Sequence, residues 1–371
     1  QGTQNMRPSA IYQIIEKLAR IFFIGFLAKQ FLPYGVEYAA AAAMVATIIG
    51  ELVALIYLLT LFKLRKAFPF RKKFWKSFHR GTEIIRELFS ISVPTLGSRL
   101  IGSVSWFLEP IIVTQALAIS GLASVHATKQ YGILTGFALP LLLLPSFIMN
   151  ALSISLVPAI SEAKSLNNIL LIDKRIQQTI QFCVMTGALA TVLLYTLNEP
   201  LLTFVYGSTN AAVFITIMAP FMVFSYLQAP LQAILQALDL ANAAMINSLI
   251  GTVVKLALFF LLASNPNFGI HGVALAIIIG FVLVAFLHLA TIMKVISITI
   301  VVRDYVKIIL CTFATGYYGE KIISMIHDPV PLVVKLALTA GSMAIVFILL
   351  LLVFRVIRGR DVMRILTIFK M

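Results

Sequence analysis

The sequence predicts an all-α membrane protein, a polytopic bundle of about ten transmembrane helices. Two observations carry this prediction. Of the 371 residues, 60% are hydrophobic and only 12% are charged, and the mean hydropathy is +1.00. Apolar runs of about 20 residues also recur along the whole chain, which is the length that a helix rising about 1.5 Å per residue needs to cross about 30 Å of hydrocarbon.

Ten such runs can be placed in chain order. They are 8–30, 36–62, 88–118, 124–158, 175–198, 211–238, 240–264, 270–293, 304–326 and 331–354. The first is apolar except for a group of three charges, and the second is rich in Ala and Leu. The third and fourth are longer than a straight crossing requires and contain four prolines, Pro94, Pro110, Pro140 and Pro145. They are therefore predicted to bend or to extend beyond the bilayer. The other six have the length of single crossings.

The net charge of +15 indicates orientation in a membrane and not nucleic-acid binding. Cytoplasmic loops of membrane proteins are enriched in Lys and Arg, and the segment 63–86 alone carries nine of them. Over alternate loops, 21 of the 29 Lys and Arg residues fall on one side and three on the other, with five inside spans. Both termini are therefore predicted to be cytoplasmic, and the basic segment is predicted to attract anionic lipids.

The sequence lacks the signatures of an enzyme or of a cofactor site. Cys183 and Cys311 lie in different apolar spans without a CxxC or His-rich spacing, so they predict neither a disulfide nor a metal site. There is no Gly-rich phosphate loop and no nucleophile elbow. The predicted outer loops offer little that could act as acid or base, which argues against a glycan polymerase. We therefore predict no cofactor, no metal and no enzymatic activity.

An internal repeat relates the first two spans to the seventh and eighth. Residues 1–28 align with 236–263, and the next segment continues the alignment after one deletion. The alignment places Arg20 on Lys255 and Gly35 on Gly269. Transporters are commonly built from two such repeats with the substrate site where they meet. If the repeat is genuine, about 150 residues with four more spans are expected to precede this sequence, which would then be truncated at its N-terminus.

Four stretches carry a resemblance to a known family. They are QGTQNMRPSAIYQIIEKLAR at 1–20, YGVEYAAAAAMVATIIGEL at 34–52, SVPTLGSRLIGSVSWFLEP at 92–110 and LPLLLLPSFIMNALSISLVPAISEA at 139–163. In these the sequence resembles the multidrug/oligosaccharidyl-lipid/polysaccharide exporter superfamily. It is most similar to the branch that holds the sporulation protein B type and the lipid II flippases.

The resemblance implies a fold of two six-helix lobes around a central cavity, with two further helices at the C-terminus. The ten spans then correspond to the last ten of fourteen, so the first four helices of the family are missing. On this basis we expect four parts: a remnant of the N-terminal lobe at 1–62, a basic cytoplasmic inter-lobe loop at 63–87, the C-terminal lobe at 88–297, and two additional helices with a basic tail at 298–371. The resemblance also implies a location in the bacterial cell membrane.

Charged residues inside the spans are the candidate site, because a charge in hydrocarbon normally faces water, a partner or the bundle interior. The candidates for substrate binding are the cations Arg99, Lys129, Lys255, Arg20 and Lys17. Arg99 stands out because the small polar residues around it are typical of a helix that lines a wet cavity. Lys129 is a candidate because lipid II flippases resemble this stretch in having a cation that faces the cavity.

Three acids are candidates for ion pairs or gating, namely Glu16, Glu51 and Glu109. Glu16 and Arg20 are four residues apart on one helix face and can pair directly, and Glu51 lies at about the depth of Lys17. These charges can form a purely structural cluster instead of a substrate site. Glu109 is expected near the outer surface, where it can gate, couple an ion or lie among headgroups. His271 and His288 are expected at the membrane interface.

The resemblance and the surplus of cations lead to one functional hypothesis. The protein is a flippase that moves a polyprenyl-diphosphate-linked sugar precursor, for spore cortex peptidoglycan, by alternating access. Its partners are then a lipid-linked oligosaccharide, membrane lipids and cell-wall synthesis proteins, with no nucleic acid. Two alternatives stay open: a multidrug or cation exporter of the same fold, and a membrane scaffold that does not transport.

Overall fold

A computed structural model describes residues 7–64, 82–297, 301–326 and 331–356. Every regular element in these ranges is a helix. The basic segment 65–81 and the basic tail 357–371, both important to the predicted orientation, lie outside the described residues. The chain divides into two compact units, unit 1 at Gln1–Ile84 and unit 2 at Ile85–Met371.

Unit 1 is a helical hairpin. Helix α1 (Arg7–Phe31) leads through a 3-10 turn (Leu32–Tyr34) into α2 (Val36–Leu64), and the two helices pack along each other. Gly35 joins them with a φ of +129°, a backbone conformation that favours glycine.

Small residues on α2 allow the two helices of unit 1 to approach closely. Ala42, Ala46, Gly50 and Ala54 repeat every fourth position and are all buried. A Cβ added at Gly50 would lie 3.1 Å from the Cβ of Arg20. This is the small-residue packing typical of membrane helices, where van der Waals contact takes the place of the hydrophobic effect.

Unit 2 contains the remaining helices of the described chain. They are α3 (Thr82–Ile119), α4 (Ser124–Ile133), α5 (Leu139–Leu143), α6 (Ser146–Ser165), α7 (Ile169–Thr196), α8 (Asn198–Tyr206), α9 (Ala212–Met218), α10 (Met222–Ala237), α11 (Ala241–Ala263), α12 (Gly269–Val295), α13 (Val302–Met325) and α14 (Leu332–Val353). A π-helix, Leu134–Ala138, joins α4 to α5, and a 3-10 turn, Ala219–Phe221, joins α9 to α10.

Helix α10 lies at the centre of unit 2. It contacts α6, α7, α11 and α12, and Tyr226, Leu231, Ile234 and Leu235 on it are buried. The hydroxyl of Tyr226 donates a hydrogen bond of 2.6 Å to the backbone oxygen of Leu142, which satisfies the polar end of this buried ring. Helices α13 and α14 pack on each other, and both contact α7.

Within the described residues, eight helical segments are long and apolar enough to cross a membrane. They are Val36–Leu61, Leu100–Ile119, Ser146–Ser165, Ile169–Thr196, Ala212–Ala237, Ala241–Ala263, Gly269–Val295 and Leu332–Val353. The predicted fold class, an all-α membrane bundle, is confirmed. Helices α1 and α13 have 25 and 24 residues and correspond to predicted spans, but their charged residues lower their apolar character.

The two proline-containing spans differ from each other. Helix α3 continues for 38 residues through Pro94 and Pro110, so it is about 57 Å long and exceeds the thickness of the hydrocarbon core. The predicted single span at 124–158 is instead interrupted. Its helix passes through the π-helix and then breaks at a turn around Leu144 and Pro145, before α6 begins at Ser146.

The predicted repeat corresponds to two hairpins of the same construction. In unit 2, α11 and α12 pack along each other as α1 and α2 do in unit 1. Gly269, aligned with Gly35, also has a positive φ, +47°. In α11 and α12, Gly251 lies against the side chain of Val284. In the repeat alignment Gly251 corresponds to Glu16, and Val284 corresponds to Gly50. Each hairpin therefore uses a glycine at this level for close approach.

Candidate functional site

The charges of unit 1 form one cluster on the hairpin. The guanidinium of Arg20 lies 2.5 Å from Oε1 of Glu16 and 3.6 Å from Oε1 of Glu51. Lys17 also reaches Glu16, at 3.2 Å. Glu16 is the most buried member, with its side chain 11% exposed, and Arg20 is 26% exposed. The cluster ties α1 to α2, because Glu51 belongs to the second helix.

Two members of this cluster are not covered by their own unit. The side chains of Lys17 and Glu51 are 60% and 67% exposed. Glu51 stands near the middle of α2, a helix with the length and composition of a membrane span. A charge at this depth is costly to place in hydrocarbon. This face of the hairpin is therefore unsuited to contact lipid.

In unit 2, Lys255 of α11 forms an ion pair with Glu109 of α3. The two side chains are only 17% and 12% exposed. The hydroxyl of Ser105, one turn before Glu109, donates a hydrogen bond of 2.8 Å to the same carboxylate oxygen. The ammonium also lies 5.9 Å from the ring centre of Phe259. Both charges are therefore partly desolvated and hold each other in place.

A glycine of α12 makes room for the Lys255 side chain. A Cβ at Gly280 would lie 3.2 to 3.3 Å from the Cβ, Cγ and Cδ atoms of Lys255. The aliphatic part of the lysine therefore lies along the backbone of α12. The repeat alignment places Arg20 at this position in unit 1, where the Cβ of Arg20 lies close to Gly50.

Glu109 and Lys255 both lie inside their helices and not at the helix ends. Glu109 lies ten residues before the end of α3, and Lys255 lies eight residues before the end of α11. At about 1.5 Å per residue, the pair is about 12 to 15 Å inside both helix ends. The sequence did not predict the contact between Lys255 and Glu109, because the two residues are 146 positions apart. The expected place of Glu109 near the outer surface stays a prediction.

The other two candidate cations have different surroundings. Lys129 is exposed on α4, and within the described residues no ion pair involves it. Arg99 lies in the continuous part of α3, but its side chain is outside the described part of the structure. The described structure therefore brings together Lys17, Arg20, Glu16 and Glu51 in unit 1, and Lys255 with Glu109 in unit 2.

A buried polar cluster was not predicted. Nδ2 of Asn247 on α11 lies 3.2 Å from Nδ1 of His288 and 2.9 Å from Oγ1 of Thr291, both on α12. His288 is 1% exposed and lies inside unit 2, whereas His271 is exposed. The expected position of both at the membrane interface stays a prediction. A polar residue within each of two neighbouring apolar spans was the only signal in the sequence, and it does not specify a pairing.

Sequence comparison places these features in a family. The polysaccharide biosynthesis protein family matches residues 1–164. Stage V sporulation protein B of Bacillus subtilis (strain 168) is 47% identical over 365 residues, which cover 98% of this chain and 70% of that protein. The chain belongs to the family of stage V sporulation protein B. Sporulation protein YkvU and lipid II flippase MurJ of the same organism are more distant relatives of this family member.

These two relatives are 28% and 26% identical to the chain, over 300 and 280 residues. The chain spans 66% of the length of YkvU and 49% of the length of MurJ. A solved structure of lipid II flippase MurJ in an inward closed conformation matches with a TM-score of 0.64 at 15% identity, over 98% of this chain and 69% of that one. The predicted class is confirmed at this level: the family member is a multi-pass membrane protein related to flippases and not to enzymes.

Proposed function

We propose that this sporulation protein B family member carries a lipid-linked sugar precursor with a diphosphate head group from the cytoplasmic to the outer leaflet, by alternating access. The precursor serves spore cortex peptidoglycan, and cell-wall synthesis proteins supply or use it. Support for a role in sporulation and in lipid flipping comes from the names of the relatives, two of which are sporulation proteins and one a lipid II flippase. The observation that carries the proposal is the pair of exposed charges, Lys17 and Glu51, near the middle of the unit 1 helices.

Those exposed charges require a hydrated surface. Placing a single charge at the centre of a bilayer costs about 3 kcal/mol or more, and neither Lys17 nor Glu51 is shielded by its own unit. A flippase has to provide such a surface, because the sugar and phosphate groups of its substrate cannot enter hydrocarbon without water or polar contacts. The charged face of α1 and α2 therefore serves as part of the path of the head group.

The balance of charge favours an anionic substrate. The candidate positions hold five cations, Lys17, Arg20, Arg99, Lys129 and Lys255, and three acids, Glu16, Glu51 and Glu109. Arginine suits a diphosphate because its guanidinium remains charged and offers forked hydrogen bonds. The surplus of cations over acids is smaller than the sequence suggested. Glu109 forms an ion pair with Lys255, so its negative charge has to be counted with the site.

One observation favours the alternative, a drug or cation exporter. Arg20 and Lys255 each have a carboxylate in contact. A cationic substrate could compete for these carboxylates as an anionic one could compete for the bases. Translocation of a lipid diphosphate and transport of an organic cation therefore have to be measured on the same preparation.

The test uses proteoliposomes that contain a fluorescent undecaprenyl-diphosphate sugar, whose appearance in the opposite leaflet is followed by quenching. Arg99→Ala and Lys255→Met are expected to lower the rate at least about tenfold, because each removes a positive charge that compensates the phosphates. Lys321→Gln is the control, since Lys321 is exposed and its ammonium lies 4.8 Å from the ring centre of Tyr317.

The wild-type protein and all variants are first compared by gel filtration to show equal folding. Unchanged flipping by both Arg99→Ala and Lys255→Met would refute the proposed site. Transport of an organic cation without flipping of the lipid would establish the alternative function instead.

A further inference from the structure

The ion pair of Lys255 and Glu109 joins two helices that are distant in sequence and shields both charges from solvent. We propose that this pair is a proton-binding site controlled by anions: when a phosphate group takes Lys255, Glu109 loses its partner and binds a proton. The inference rests on the proposed function, because it assumes that an anionic head group reaches Lys255. To the proposed function the inference adds the proton as a second ligand, and it assigns Glu109 as the residue that binds this proton.

Burial is the first step of the argument. The Glu109 and Lys255 side chains are only 12% and 17% exposed. A buried carboxylate that loses its positive partner is left as an uncompensated charge, and it responds by becoming neutral. Glu109 is therefore expected to remain ionised while Lys255 contacts it and to become protonated when Lys255 is taken by another anion.

The surroundings of Glu109 provide the second step. Among the described residues, Lys255 on α11 forms an ion pair with Glu109, and Tyr131 on α4 lies close enough to be influenced by its charge. Ser105 donates a hydrogen bond to it from its own helix, and α12 contributes Gly280, which has no side chain, beside Lys255. No second described cation is in place to compensate Glu109 if Lys255 leaves.

The mobility of lysine provides the third step. The lysine side chain has a flexible aliphatic stem, and the stem of Lys255 runs along Gly280, where no side chain blocks it. Rotation about the outer bonds of this stem would carry the ammonium from Glu109 to an incoming phosphate oxygen. Ser105 can then reverse its role, because its hydroxyl accepts a hydrogen bond from the protonated Glu109 carboxyl as readily as it donates one to the carboxylate.

The charges balance without any covalent step. In the resting state one carboxylate and one ammonium form a neutral pair. After anion binding, the ammonium keeps its protons and contacts the phosphate oxygen, and the carboxylate takes one proton from water. Release of the anion restores the pair and returns the proton. The site thus couples each anion bound to one proton taken up.

The experiment measures binding and proton uptake together, with inorganic pyrophosphate as the probe. The purified protein in detergent is titrated in weakly buffered solution containing a pH indicator, and binding is followed by calorimetry on the same samples. Pyrophosphate itself titrates, so the quantity of interest is the difference in uptake between wild type and Glu109→Gln. The expected difference is about one proton per pyrophosphate bound.

Two variants sharpen the result. Glu109→Gln cannot hold Lys255 with a charge, so it is expected to bind pyrophosphate about tenfold more tightly than wild type. Its affinity should also lose most of the rise that wild type shows as the pH falls. Glu109→Asp keeps the carboxylate, so it is expected to retain proton uptake, and infrared difference spectra should show a protonated carboxyl band in this variant and in wild type but not in Glu109→Gln.

Three outcomes separate this inference from the proposed function. Equal proton uptake by wild type and Glu109→Gln, with pyrophosphate bound by both, overturns the coupling but leaves an anion site. No binding of pyrophosphate by either protein removes Lys255 as an anion site and overturns the inference, while the flipping assay decides the transport function separately. Binding with a difference near one proton supports the inference.

Discussion

The carboxylates of Glu16 and Glu51 both contact Arg20, but they differ strongly in solvent exposure. Glu16 is 2.5 Å from Arg20 with an 11% exposed side chain, whereas Glu51 is 3.6 Å away and 67% exposed. Glu16→Gln is expected to destabilise the protein by about 3 kcal/mol, because it leaves Arg20 without its buried partner. Glu51→Gln is expected to cost less than about 1 kcal/mol. Thermal denaturation in detergent, followed by circular dichroism, measures both.

The two variants are matched, since both replace a carboxylate with an amide of the same shape beside the same guanidinium. Equal losses of stability would contradict the assignment of Glu16 as the main partner. A larger loss for Glu51→Gln would show that the exposed acid, and not the buried one, holds α1 and α2 together.

Residue pairs could be predicted from the sequence where they are local. The spacing of four residues sufficed to place Glu16 beside Arg20, because it puts both on one helix face. The contact between Lys255 and Glu109 spans 146 positions, and no helical periodicity relates residues so far apart. The same holds for Asn247 and His288, which are 41 positions apart. Such pairs depend on how helices pack, which the sequence pattern of one helix does not contain.

At the scale of elements, the hairpin of α11 and α12 depends on a close approach at Gly272. A Cβ there would lie 2.8 Å from the backbone carbon and oxygen of Leu262. Backbone atoms cannot rotate away, so Gly272→Ala is expected to separate the two helices and to cost about 1 to 3 kcal/mol. The midpoint of thermal denaturation in detergent is the measurement.

Gly341→Ala serves as the control for this prediction. Gly341 lies within α14, and nothing is within 4 Å of a Cβ added to it. Alanine is also the better helix former by up to about 1 kcal/mol, so this variant is expected to be as stable as wild type or slightly more so. A Gly272→Ala protein that melts like Gly341→Ala would show that the hairpin can relax without loss.

The long apolar helices could be predicted because hydrocarbon thickness imposes both their length and their composition. Helix α12, with 27 residues, covers the predicted span at 270–293. The interruption between α4 and α6 could not be predicted, because the residues on both sides of it remain apolar and the hydropathy does not fall. The chain breaks near Pro145, and proline had indicated only that this span would not be regular.

At the scale of the whole molecule, the predicted orientation can be tested with single cysteines. Ser165→Cys, at the last residue of α6, is expected on the cytoplasmic side, and Thr209→Cys, between α8 and α9, on the outer side. Both positions are exposed. In intact cells a membrane-impermeant maleimide should label Thr209→Cys and not Ser165→Cys, while opened membranes should allow both to react.

The native cysteines provide the background control, because Cys183 and Cys311 are both buried and should react little in either preparation. The reverse labelling pattern would invert the topology and place the predicted cytoplasmic termini outside. Labelling of both sites in intact cells would show that 166–208 does not cross the membrane as predicted.

The family of the whole molecule was accessible from the sequence because extended stretches such as 1–20 and 139–163 resemble it directly. The charge distribution also supplied an orientation, through loops that lie largely outside the described residues. The balance of charge in the site was less accessible. The charge balance changed because Glu109 forms an ion pair with Lys255. This contact depends on how α3 packs in unit 2.

The π-helix at Leu134–Ala138 determines how this segment would respond to an inserted or deleted residue. A π turn holds one residue more than an α turn, and each residue rotates a helix by about 100°. A single inserted amino acid can therefore be absorbed at this turn, so that the side chains that follow it keep the faces they already occupy. In this segment Phe137 stacks on Tyr206, with 4.7 Å between ring centres. Loss of one codon in this segment would return the turn to α-helical winding and leave the downstream face toward its present neighbours.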